Sequence, residues 1–314
     1  MSDFSVVRLA VATAASLLVL SIPRVPAQVG TSGIVDRAQL MRDVTALSAP
    51  SFEGRAAGSP GGVQARQWVL MRFMETGLMP AGTAGYLQTF RAMRGRVAIE
   101  AANVVGRTAL PRQPAKTIVV TAHYDHLGIR NGAVYPGADD NASGVATLLA
   151  AARYFVAHPP HHPMLFAATD AEEIGLRGAR ALIDAKIAAP AEVALNVNLD
   201  MVSKNSAGEI YAAGTSYSPW LTPILRDVQT RTPVKILFGH DRPARNKSEP
   251  EDWTQQSDHG PFHSAGVPFV YFGVDDHPDY HKSTDTADRI DLRFFGDAAD
   301  MIVDALRTLD SKTD

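Results

Sequence analysis

The chain has 314 residues, 30 Lys and Arg against 33 Asp and Glu, a formal charge of −3, 46% apolar residues and no cysteine. These values exclude a disulfide-stapled scaffold and any Cys-held zinc or iron–sulfur site, and they argue against a disordered chain and against a nucleic-acid binder driven by bulk positive charge. A metal in such a chain must be held by His and carboxylates, a donor set suited to divalent ions such as zinc or manganese.

The chain opens with Arg8, an apolar run from Leu9 to Ile22, and the small residues Val25 and Ala27 around Pro26 before Gln28. That is the layout of a secretory signal peptide, and the run is shorter than the roughly 20 residues of a membrane span. Residues 1–27 are therefore expected to direct export to the periplasm or the medium. Residues 28–314 are expected to form a single domain, free of the membrane because no later stretch is long and apolar enough to span one.

Leu40, Val44 and Leu47 at helical spacing predict a helix over 35–48, and Trp68, Met71 and Met74 a second over 61–74. The Gly- and Ser-rich residues 51–62 between them read as a loop. Residues 86–91 and 97–106 read as strands, and Pro111 and Pro114 mark a turn. From Thr117 the pattern changes to buried strands alternating with helices. Strands are predicted over 117–122, 164–169, 193–199, 210–213 and 268–272. Helices are predicted over 142–157, 176–188, 219–230 and 291–309, with a polar loop over 239–256. The alternation predicts an α/β fold, a three-layer α/β/α arrangement around a mixed, mainly parallel sheet.

Open α/β sheets bind ligands beyond the carboxyl ends of their strands. Residues 117–122 are followed by His123-Tyr124-Asp125-His126, and residues 164–169 by Asp170-Ala171-Glu172-Glu173. Asp200 follows 193–199, and residues 274–281, ending in Tyr280-His281, follow 268–272. Asp139, Asp140 and Asn141 stand just before the helix over 142–157. Asp and Asn are ordinary helix caps, but two acids plus Asn exceed what one cap needs. Each piece is commonplace alone. Together they match the needs of two divalent ions about 3.5–4 Å apart, which require a bridging carboxylate, further His and acid ligands, and a spare acid for proton transfer.

Taken in order, His-x-Asp, GADDNASG, Asp-x-Glu-Glu, Leu-Asp-Met and Tyr-His-Lys-Ser-Thr-Asp-Thr resemble the co-catalytic zinc aminopeptidases of metallopeptidase family twenty-eight. The segments FEGRAAGSPGG (52–62) and SDHGPFHSAGVP (257–268) extend the resemblance, which covers residues 50–310. HExxH and GxSxG, marks of other hydrolases, are absent.

The resemblance implies a zinc-dependent exopeptidase fold holding two Zn2+. Asp140 would bridge them, His123 and Asp200 would complete one site, and Glu173 and His281 the other. Asp139 is not expected to be a ligand. Glu172 would be the general base for the bridging water. Asp125 would accept the second ring N–H of His123. Tyr280 would donate a hydrogen bond to the oxyanion. The peptide after the bridging acid, Asp140–Asn141, would be cis.

His126 and His277 flank ligand positions and are read as structural, with support of a ligand as the lesser alternative. Asp258 and His259 are read as shaping the pocket or capping a short helix, and Asp285 as orienting His281 or capping a turn. The implied activity is an exported aminopeptidase acting on peptides. The alternatives are a carboxypeptidase or dipeptidase of the same fold, a glutaminyl cyclase-like acyl transferase, and a non-catalytic binding module. A carboxypeptidase needs a cationic anchor, for which Arg177, Arg242 and Arg245 are candidates.

Overall fold

The computed structural model describes Met1 and residues 33–111, 115–243 and 250–313. Residues 2–27 of the expected export signal and Arg245 lie outside these residues. The described elements belong to one compact unit, Gly33–Asp314. Among them, no helix is long and apolar enough to cross a membrane.

Capping chemistry sets the first helices. In α1 (Arg37–Leu47) the Asp36 carboxylate accepts the N–H of Gln39, and Leu40, Val44 and Leu47 are buried. In α2 (Pro60–Thr76) the Ser59 side chain caps Gly62, Pro60 opens the first turn, and Gly77 ends the helix in the left-handed conformation. The intervening loop is partly ordered as a short 3-10 segment, Pro50–Arg55.

The strands and helices that follow are β1 (Met79–Pro80), β2 (Leu87–Arg94), β3 (Val97–Arg107), β4 (Thr117–His123), β5 (Gly128–Arg130), β6 (Ala133–Tyr135), α3 (Gly144–Ala157), β7 (Met164–Thr169), α4 (Arg177–Asp184), β8 (Val193–Leu199), β9 (Glu209–Ala213), α5 (Leu221–Gln229), β10 (Lys235–Leu237), α6 (His259–Ser264), β11 (Phe269–Gly273) and α7 (Leu292–Lys312).

Among the described residues a nine-stranded sheet runs β1-β3-β7-β4-β8-β11-β9-β10, with β2 added to β3. Its centre, β7-β4-β8-β11, is parallel. The junctions β3–β7 and β11–β9 are antiparallel, so the sheet is mixed and mainly parallel, as the alternation predicted.

Alternate residues of β4 explain its continuous apolar run. Ile118, Val120 and Ala122 enter the core shared with α1, α2, α3, α5 and α7. Val119 faces the other way, in a cluster with Ala179 and Leu182 of α4 and Phe262 of α6. A strand covered on both faces must be apolar at every position.

Five of these strands and helices, β1, β5, β6, β10 and α6, were not among the predicted ranges. The β5–β6 hairpin turns at Asn131-Gly132, both left-handed at φ 51 and 77, the Asn-Gly signal of a tight hairpin. β10 has only three residues, too few for a periodic pattern, and α6 is a single short helix after the polar loop.

Arg55, in the FEGRAAGSPGG segment, is completely buried. Its guanidinium donates to the carbonyls of Tyr124, Leu47, Pro136 and Gly137 at 2.5–2.9 Å. It therefore ties the end of α1 to the segment after β4 and to the loop that leads into Asp140. Arg55→Met would remove this donor from all four carbonyls; that of Gly137 keeps the Ala142 N–H, and the loss at the others costs about 1–3 kcal/mol each. A melting temperature lower by roughly 6–12 °C is expected, measurable by calorimetry.

Candidate active site

The carboxyl ends of β4, β7 and β8 and the segment after β11 bring the acids and histidines together. His123 Nε2 lies 3.4 Å from Asp140 Oδ1 and 3.3 Å from Asp200 Oδ1. The other oxygen of Asp140 faces a second group. Asp140 Oδ2 is 3.0 Å from His281 Nε2, which is 3.7 Å from Glu173 Oε2. Asp140 thus presents one oxygen to each of two His–carboxylate pairs. Donor atoms of His123, Glu172 and Asp200 lie within 4.8 Å of one another, and so do those of His126, Asp140 and Glu173.

The loop that carries Asp140 is pinned from several directions. The Asp140–Asn141 peptide is cis. Asn141 Nδ2 donates to the Leu199 carbonyl, while its Oδ1 accepts the N–H of Gly144 and of Met201. Asp139 turns away from the donor cluster: its carboxylate accepts the N–H and hydroxyl of Ser203 and the hydroxyl of Ser143, and meets His277 Nε2 at 2.9 Å. The two adjacent acids divide the work, one fastening the loop and one facing the site.

Asp285 neither orients His281 nor caps a turn with its carboxylate. It accepts the N–H groups of Asp139 and Asp140 at 3.0–3.1 Å and the Lys204 ammonium at 2.7 Å. Asp125 also differs from expectation. His123 Nδ1 is bonded to the Asp125 backbone carbonyl at 3.1 Å, and the Asp125 carboxylate stands 3.8 Å from that nitrogen. The carboxylate instead accepts the N–H of Glu172 at 3.0 Å. One residue thus positions both a histidine and an acid of the site.

In the SDHG segment the Ser257 hydroxyl donates to Asp200 Oδ2 at 2.7 Å and accepts from Asn198 Nδ2. Asp258 accepts the Thr169 hydroxyl, and burial pushes its carboxyl up to about 6. His259 Nε2 meets the Trp253 carbonyl at 2.9 Å. Sequence reasoning marked this segment but passed over Ser257, the residue that touches a candidate ligand.

Burial, together with Asp200, Asp258 and Glu173, holds Glu172 well above the usual carboxylate range, against the pull of His123. Burial also raises Asp140 and Glu173. His123 is raised because neighbouring carboxylates, Asp200 foremost, outweigh its burial. Tyr280 stacks on His281 with ring centroids 3.9 Å apart, and burial plus the nearby acids raises its hydroxyl.

Several atoms here have no partner. Among the described residues, both ring nitrogens of His126 and Glu173 Oε1 are buried without a hydrogen bond. No Lys or Arg of the described residues pairs with Asp140, Glu172, Glu173 or Asp200. Four clustered acids without a cation, beside three imidazoles, have the chemistry of a site for divalent metal.

The sequence model of Peptidase family M28 matches residues 103–306. The chain belongs to this family. It is 32% identical over 203 residues to aminopeptidase YwaD of Bacillus subtilis, covering 60% of this chain and 40% of that one. It is 29% identical over 252 residues to a probable leucine aminopeptidase of Arthroderma otae, covering 76% and 64%. The chain therefore spans less than two thirds of the length of either relative.

Its fold matches that of an Aneurinibacillus aminopeptidase, with TM-score 0.68 and 16% identity, covering 87% of this chain and 93% of that one. It also matches a glutaminyl cyclase from an Acidobacteriales bacterium, with TM-score 0.69 and 20% identity, covering 93% and 100%.

Among the described residues, the cationic candidates Arg177 and Arg242 pair with none of the clustered acids. Arg177 is exposed, with its Nε 3.4 Å from the Ile174 carbonyl. Arg242 donates to Ser216 Oγ and lines a cavity of about 380 Å3 with Phe238 and His240. A second cavity, about 430 Å3, opens directly onto Asp125, His126 and Glu173 and is lined further out by Glu53, Arg94 and Arg130.

Proposed function

We propose that this protein is an exopeptidase that holds two zinc ions and removes amino-terminal residues from peptides. The observation that carries the reading is Asp140, whose two oxygens face two separate His–carboxylate pairs with Glu172 alongside. Asp140 would be shared, His123 and Asp200 would hold one ion, and Glu173 and His281 the other. Bound there, the ions supply Lewis acidity to the scissile carbonyl and acidity to water.

Glu172 takes a proton from the attacking water as its oxygen bonds to the peptide carbon. It returns that proton to the amine as the C–N bond breaks. A carboxyl raised by burial suits both halves of this transfer near neutral pH. The Asp125 carboxylate, bonded to the Glu172 N–H, fixes where that acid stands. Tyr280, stacked on His281, offers its hydroxyl to the carbonyl oxygen as charge develops there. Export through the leader read in residues 1–27 would place this activity in the periplasm or the medium.

A specific observation favours a second reading. Arg94 and Arg130 line the cavity that opens onto Glu173, and a guanidinium is a good anchor for a substrate's terminal carboxylate. A panel of N-acetylated and C-amidated dipeptides, assayed with zinc, separates the two. The aminopeptidase reading predicts cleavage of the C-amidated and not of the N-acetylated substrates. The opposite pattern would establish a carboxypeptidase. Loss of ammonia from a peptide beginning with Gln, without peptide cleavage, would instead establish a cyclase.

A further inference from the structure

The His126 imidazole stands inside the cluster, yet the family resemblance gives it no ligand role. Its Nδ1 is 2.7 Å from Glu173 Oε1 and 3.7 Å from Asp140 Oδ2. The 2.7 Å approach is not a hydrogen bond, since both atoms are buried without a partner. A nitrogen and a carboxylate oxygen set side by side in this way resemble two ligands of one cation. Zinc–donor distances near 2.0–2.2 Å leave neighbouring donors of a tetrahedral site about 3.3–3.6 Å apart, a spacing that the 2.7 and 3.7 Å approaches bracket. Asp140 Oδ2 is the oxygen that also faces His281. The rings of His126 and His281 are 5.9 Å apart and inclined at 59°, so they bracket the same two carboxylates from different sides.

The ring has little room to turn elsewhere. His126 is fully buried, whereas the His281 side chain is 39% exposed. A Cβ at Gly137 would come within 2.6 Å of His126 Cγ and Cδ2, so the ring packs against bare backbone. Arg55 holds that backbone through the Gly137 carbonyl, and the Arg55 carbonyl accepts the His126 N–H at 3.3 Å. The segment that carries Arg55 thereby fixes a histidine aimed at Glu173.

We propose that His126 is a direct ligand of the cation held by Asp140, Glu173 and His281. That site then has two imidazoles and two carboxylates, while the other has His123, Asp140 and Asp200. The inference rests on the two-cation reading. It makes the sites unequal: the His126 site holds its ion more tightly and favours zinc or cobalt over manganese, following the preference of imidazole.

The test uses the full-length protein and its His126→Gln and His126→Ala variants. Zinc affinities are measured by competition with a chromophoric chelator, and visible absorption spectra are recorded on the cobalt-loaded proteins. Glutamine keeps most of the buried volume, and circular dichroism of the metal-free variants verifies folding. Wild type should bind two ions. Both variants should lose more affinity for one of them than the roughly 10–100-fold that loss of an outer-sphere partner costs, and the cobalt spectrum of that site should change. Folded variants with wild-type affinities and an unaltered cobalt spectrum would overturn the His126 assignment alone. A wild-type protein that binds no second ion would overturn the two-cation reading, and the assignment with it.

Discussion

Glu172→Ala is expected to keep both zinc ions and lose about 10²–10⁴-fold in kcat, the usual contribution of a positioned general base. Two roles compete for this residue, ligand and base. Its carboxylate comes within 4.8 Å of donor atoms of His123 and Asp200, close enough to be a ligand. Yet His123 already stands between Asp140 and Asp200, and the Asp125 carboxylate holds the Glu172 backbone in place. A base beside the ions, with a carboxyl raised by burial, fits these contacts. Zinc content by mass spectrometry and turnover of an aminoacyl-arylamide, measured on the same preparation, decide the matter. Loss of one zinc would make Glu172 a ligand, and substantial turnover would remove it from the base role.

The second large effect is expected at the adjacent acids Asp139 and Asp140. Asp140→Asn removes a charge and one of the two oxygens that face the separate pairs. It should abolish two-ion binding and take activity below detection. Asp139→Asn makes the same chemical change one residue earlier, where the carboxylate meets Ser203, Ser143 and His277. That variant should be less stable by about 1–3 kcal/mol and still bind two zinc ions. Equal metal loss in both variants would mean that Asp140 acts on the loop rather than on the ions.

These contrasts explain what the sequence could and could not reveal. Strands β4, β7 and β8 are legible because burial on both faces forces unbroken apolar runs. His123, Glu172, Glu173 and Asp200 are legible because they follow such strands, and the fold brings those ends together. The supporting contacts are a different matter. Nothing local distinguishes the Asp125 carboxylate, which bonds Glu172, from its carbonyl, which bonds His123. Asp285 reaches back nearly 150 residues to the Asp139 and Asp140 amides, a contact only the folded chain creates. Ser257 on Asp200 and Arg55 on four carbonyls are of the same kind. The β5–β6 hairpin differs, since Asn131-Gly132 announced it in the sequence.

The most direct measurement is a zinc titration of the chelator-stripped protein, following hydrolysis of an aminoacyl-arylamide against ions bound per chain. Activity should be absent in the stripped protein, rise with added zinc, and reach its plateau at two bound ions. Full activity without metal, or a plateau at a single ion, would contradict the account.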